Sequence, residues 1–168
     1  MAITNISPNS VEFAGSWSLP NSSILDILSD GTDEGAFSNS SGNQALIVGL
    51  EDVGINFTFT SFTSTIHARK GPKGNGSVNI RVTTNAGDTL SSHDITVNTE
   101  GVSVYTTPST SLSFNTSVAN GLLLHILGLD DTQCFYSEAF VTLTGTSTSG
   151  LIQLNSGLVQ LTDGKVIL

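Results

Sequence analysis

Ile55-Asn56-Phe57-Thr58-Phe59-Thr60 places a bulky apolar residue at every second position and a polar one between. A period of two belongs to a β-strand with one face in a core, because successive strand side chains point to opposite faces. Working outward, Val78, Ile80 and Val82 alternate with Asn79, Arg81 and Thr83. Ile95 and Val97, Val102 and Val104, and Leu112 and Phe114 repeat the pattern, and Ala139, Val141 and Leu143 close it. Each run reads as a half-buried antiparallel strand whose apolar side faces a second sheet. Ile55, Phe57, Phe59, Val78, Ile80, Val82, Val141 and Leu143 are expected to share one core.

Two runs, Ala45 to Leu50 and Leu122 to Leu127, are apolar throughout. They read as central strands covered on both sides, the second alternatively as one helical turn. Turn signals separate the runs: Ser29-Asp30-Gly31, Gly71-Pro72, Asn85-Ala86-Gly87-Asp88, Thr107-Pro108-Ser109 and Asn120-Gly121. About nine or ten strands fit between Phe13 and Leu143, which suits an all-β, antiparallel sandwich of jelly-roll type. Residues 1–12 then read as an N-terminal arm and 13–146 as the sandwich. Residues 147–168 read as a linker and a C-terminal β-repeat for assembly. The repeat runs Leu-Ile-Gln-Leu-Asn-Ser-Gly (151–157), Leu-Val-Gln-Leu-Thr-Asp-Gly (158–164), Lys-Val-Ile-Leu (165–168). Such short strands cannot hide Leu151, Leu154, Leu158, Leu161, Val166 and Leu168 among themselves. Those residues must pack either on their own sandwich or on a neighbouring chain; the expectation is that they bind neighbouring subunits in a homo-oligomer.

Only 11% of the residues are charged, and the net charge is −9. With five Lys and Arg in all, the clustered cations that phosphate contacts require are missing, so nucleic acid is not an expected partner. Cys134 is the single cysteine, which rules out an intramolecular disulfide and a cysteine zinc cluster. The first residues show no basic, then apolar, leader pattern, and the apolar run Leu122 to Leu129 is too short to cross a bilayer. The expectation is synthesis in a host cytoplasm and no membrane.

His67, His93 and His125 lie at no ligand spacing, and no Gly-x-Ser-x-Gly elbow, phosphate loop or carboxylate pair is legible. No catalytic residue, metal or cofactor is expected. His125, inside an apolar run, reads as a hydrogen-bonded core histidine. Asp26, Asp30, Asp33 and Glu34 offer oxygens of the kind calcium takes, but not at EF-hand spacing; they read as a solvated acidic loop. Arg69, Lys70 and Lys73 surround Gly71-Pro72 and hold three of the five cations. They read either as a solvated hairpin loop or as an electrostatic contact to a partner. Sugar stacking has only Trp17, Tyr105 and Tyr136 to draw on, and Trp17 reads as core.

The Phe/Thr strand from Asn56 to Phe62, Ser77-Val78-Asn79-Ile80-Arg81-Val82, and the closing Ala139-Phe140-Val141-Thr142-Leu143-Thr144 together resemble jelly-roll sandwich domains of tailed-bacteriophage decoration, head-fibre and tail proteins. Carbohydrate-binding modules share that architecture. The family's Ile-Pro-Ala-Gly-Ala turn is missing; His67-Ala68-Arg69-Lys70-Gly71 stands in its place. The resemblance implies a non-catalytic virion protein, foremost a capsid decoration protein, with capsid or tail subunits as partners. The alternative is a carbohydrate-binding sandwich module of a tail fibre or secreted enzyme.

Overall fold

A computed structural model describes residues 2–14, 17–18, 23–29, 37–39, 45–53, 57–129, 133–147, 152–154, 157–162 and 165–167. In chain order these form β1 (Ala2–Ile6), β2 (Pro8–Ala14), β3 (Trp17–Ser18), α1 (Ile24–Ser29), β4 (Phe37–Asn39), β5 (Ala45–Leu50), β6 (Phe57–Lys70), β7 (Gly76–Thr84) and β8 (Thr89–Val97). There follow β9 (Ser103–Thr106), β10 (Thr110–Asn115), α2 (Thr116–Ala119), β11 (Leu122–Gly128) and β12 (Cys134–Ser147), then β13 (Ile152–Leu154), β14 (Gly157–Thr162) and β15 (Lys165–Ile167).

The fold is all-β, with two antiparallel sheets. In the first, β6 and β12 run side by side at the centre. β9 and β10 share the free edge of β6, and β1 and β4 share that of β12. The second sheet has the order β2-β5-β11-β7-β8. The chain keeps changing sheets, at β1–β2, β2–β3, β4–β5, β5–β6, β6–β7, β8–β9, β10–β11 and β11–β12, which is the jelly-roll habit. The expected central strands β5 and β11 are central. Their outward sides are half-exposed rather than covered, as the alternating burial of β11 shows.

The core lies between the sheets. Phe59, Phe62, Ile66 and Ala68 of β6 and Tyr136, Ala139, Val141 and Leu143 of β12 meet Leu46 and Val48 of β5, Val78, Ile80 and Val82 of β7, and Leu122, Leu124 and Ile126 of β11. Phe114 joins from β10, its ring centroid 5.3 Å from that of Phe59 and 6.1 Å from that of Phe62. Of the expected core, Phe57 is only partly buried, at the margin, and Ile55 lies outside the described residues.

Residues 2–14 pair with β12 and β5 and bury Ile6, so this stretch belongs to the sandwich rather than to an arm. Chain position hid this, because the segment's apolar residues do not alternate strictly. β13, β14 and β15 form an antiparallel three-stranded meander, as the repeat implies. The side chains of Leu151, Leu154, Leu158, Leu161, Val166 and Leu168 lie outside the described residues.

Two bulges decide which side chains face out. Alternation continued from Phe57 and Phe59 would turn Ser61, Thr63 and Thr65 toward the core; of these only Thr65 is buried, and it lies on the outer side, bonded to Thr106. Instead the register shifts by one residue where Phe59 pairs Gly145 and Ser61 pairs Thr144. The phase flips there, so that Phe62, Ser64, Ile66 and Ala68 are buried. Gly145 permits the close approach: a Cβ there would stand 2.4 Å from the Thr58 carbonyl oxygen. A second shift on β12 lies between Tyr136, which pairs Ala68, and Glu138, which pairs His67. It buries Tyr136 and sends Phe135 outward.

Candidate functional site

Three connections meet at one end of the sandwich. The β6–β7 turn, Gly71-Pro72-Lys73-Gly74, is closed by a bond from the Gly74 N–H to the Gly71 carbonyl. The β8–β9 loop comes alongside when the Lys70 N–H donates to the Thr99 carbonyl at 2.8 Å. The start of β12 is tied in by the Gly71 N–H, which donates to the Gln133 carbonyl at 2.7 Å. Only glycine fits at 71, since a Cβ would lie 2.3 Å from that same oxygen.

Between these segments opens a cleft of about 360 Å³, lined by Arg69, Lys70, Gly71, Pro72, Gly74, Glu100 and Phe135. Arg69 and Phe135 are register partners on β6 and β12. The Arg69 guanidinium carbon sits 4.1 Å from the Phe135 ring centroid. The ring quadrupole attracts the cation at that distance without using any of its N–H donors. Among the described residues, Arg69 makes no hydrogen bond or ion pair. Lys70 Nζ lies 3.6 Å from Glu100 Oε1, longer than a charge-assisted hydrogen bond, and the Glu100 side chain is 89% exposed. Lys73 is exposed at the tip of the turn.

The structure thus brings the basic trio together at one rim, two of the three inside the cleft. Sequence reading missed Phe135. Counting back by twos from Leu143, Val141 and Ala139 buries Phe135 and exposes Tyr136, whereas the bulge at Ser137 reverses both. The adjacent Phe-Tyr pair was a signal that one ring had to face out. Tyr105 and Tyr136 offer no exposed platform: the Tyr105 hydroxyl bonds Thr99, and Tyr136 is in the core.

The histidines scatter. His67 Nδ1 lies 3.0 Å from Glu138 Oε2 on the outer side of the first sheet. His125 is not a core residue. It faces outward from the second sheet, half-buried, with Nε2 3.0 Å from Thr83 Oγ1. Desolvation, followed by the charge of Arg81, lowers its pKa. His93 and Asp94, neighbours in sequence, point to opposite sides of β8, and Asp94 accepts from Asn79. Among the described residues, no group of three His, Cys, Asp or Glu could hold a metal. Of the acidic stretch, Asp26 opens α1, its N–H bonded to Ser23 Oγ; Asp30, Asp33 and Glu34 lie outside the described residues.

No family model and no curated protein matches the chain. Solved structures do. The CBM36-1 domain of a multidomain xylanase from the hindgut metagenome of Trinervitermes trinervoides aligns over 88% of this chain and 100% of its own, at TM-score 0.50 and 10% identity. The C-terminal CBM6 of LamC, a laminarinase from Zobellia galactanivorans, aligns over 85% and 99%, at TM-score 0.49 and 8% identity. A carbohydrate-binding module CBM36 in complex with calcium and xylotriose aligns over 84% and 99%, at TM-score 0.46 and 11% identity. At these identities the likeness is one of fold. It overturns the virion reading, capsid decoration included: the CBM36-1 domain, matched over its whole length, is a carbohydrate-binding module, an architecture that strand pattern alone does not separate from a virion jelly roll.

Proposed function

We propose that this chain is a non-catalytic carbohydrate-binding β-sandwich module that holds a glycan in the cleft between the β6–β7 turn, the β8–β9 loop and the start of β12. One observation carries the reading. A planar donor group, Arg69, sits over an aromatic ring in an open cleft, in a sandwich that spans the full length of the CBM36-1 domain. Sugar recognition needs two things from a protein surface. Fixed donors and acceptors must match ring hydroxyls, and an apolar edge must cover the C–H face of a pyranose. Arg69 supplies the first, and Phe135 with Pro72 the second. Because the sheet register sets Arg69 and Phe135 before any ligand arrives, little ordering entropy is charged on binding. The test is native gel electrophoresis through a panel of soluble plant and algal polysaccharides. At least one should retard the protein, and Phe135→Ala and Arg69→Ala, checked for folding by circular dichroism, should abolish the retardation. Retardation by none, or retardation that both variants leave intact, would refute the cleft as a glycan site.

A further inference from the structure

Resting on the glycan-binding reading, we infer that the cleft selects acidic sugars, those carrying a carboxylate or a sulfate. The chain holds 14 Asp and Glu against five Lys and Arg, and a polyanion approaching such a protein is repelled on average. Three of the five cations nevertheless stand within five positions, 69 to 73, on one rim. The other two, Arg81 and Lys165, belong to β7 and β15.

Local geometry turns that concentration into a receptor. The Arg69 fork sits over Phe135 and carries no carboxylate of its own among the described residues. A planar guanidinium with two parallel N–H groups free matches a carboxylate or sulfate edge, which a sugar hydroxyl cannot do as well. Lys70 already shows the preference of the site. Its side chain is 25% exposed, and its ammonium lies 3.6 Å from Glu100. Glu100 is held so loosely that an incoming anion displaces it at little cost. Lys73, exposed one turn position away, adds a third charge without any packing role. Of the acidic residues near this rim in sequence, Glu100 is described, while Asp130 and Asp131 lie outside the described residues.

Matched probes test this, since each pair differs in charge on one backbone: polygalacturonate against its fully methyl-esterified form, and dextran sulfate against dextran. Poly-glutamate serves as the acidic peptide. Polygalacturonate, dextran sulfate or both should retard the intact chain far more than the neutral partner, the pair that responds identifying carboxylate or sulfate. Added salt should weaken the effect. Lys73→Gln should lower affinity about two- to five-fold, Arg69→Gln should abolish the retardation, and Glu100→Gln should raise affinity about two- to five-fold. Lys165→Gln should change nothing. Equal retardation by charged and neutral partners, insensitive to Lys73→Gln, would overturn this inference and leave the glycan-binding reading standing. Retardation by poly-glutamate alone would overturn both. Retardation by none of the five would overturn the acidic preference, and the broader polysaccharide panel would then decide the glycan reading by itself.

Discussion

The outer side of the second sheet and the cleft end of the first treat their polar groups in opposite ways. On the second sheet they are bonded to one another. The Asn79 side-chain amide donates to Ser92 Oγ at 3.0 Å and to Asp94 Oδ1 at 2.8 Å, and Ser92 returns a bond to Asn79. Next to them, His125 and Thr83 are paired, with Arg81 beside His125 in register. On the first sheet, at the cleft end, Arg69 rests on a ring, Lys70 leans on an exposed carboxylate and Lys73 stands in solvent. A surface whose polar groups are mutually satisfied stabilises the fold and has little left for a partner. One whose donors are oriented but uncommitted adds little stability and keeps its capacity for a ligand.

Mutations can break or sharpen that contrast. The largest effect should come from the core that both sheets share. Phe62→Ala removes a fully buried ring and should cost about 3–5 kcal/mol in denaturant unfolding. A loss below about 1 kcal/mol would mean that the flipped phase of β6 is wrong. Next, Asn79→Ala leaves Ser92 and Asp94 without their shared partner. It should cost about 0.5–1.5 kcal/mol, because Ser92 and Asp94 are exposed and turn to water, while glycan retardation stays unchanged. If retardation fell with it, the second sheet would be a binding surface after all.

A smaller effect is readable as a slope. His125 binds its proton more weakly in the fold than at its ordinary pKa of 6.5. Between that value and the lower folded pKa, the unfolded chain holds more protons. Its contribution to stability is therefore complete above pH 6.5 and is lost as pH falls below it. His125→Gln should flatten melting temperature against pH in that range, and an unaltered profile would show that His125 does not drive it. The smallest effect belongs to the cleft. Glu100→Gln should move stability by no more than about 0.5 kcal/mol, which thermal melts would check.

Strand alternation made much of the fold readable before any coordinates. Val78, Ile80 and Val82 fall inward as their spacing implies, and so do Ala139, Val141 and Leu143. The failures have one cause. Alternation carries no mark where a bulge inserts a residue, because the extra residue is set by pairing with a distant strand. The shifts near Thr60 and at Ser137 reversed the faces of Phe62, Phe135 and Tyr136. Part of the cleft was legible: Arg69 and Lys70 stood out by charge alone, with Lys73 beside them on the rim. Phe135 and Glu100 were not, since one depends on a bulge and the other on a loop arriving from 30 positions away. Function was the least legible of all, because virion and carbohydrate-binding jelly rolls bury the same pattern.

Cys134 pairs in register with Lys70, directly beneath the cleft, and is 1% exposed. As the single thiol of the chain, it provides a clock for local breathing. A disulfide dye can reach it only when the start of β12 parts from β6, so labelling kinetics would time the opening of the cleft floor separately from the unfolding of the whole sandwich. A bound glycan that clamps Arg69 against Phe135 would slow that clock even if the global melting temperature did not move.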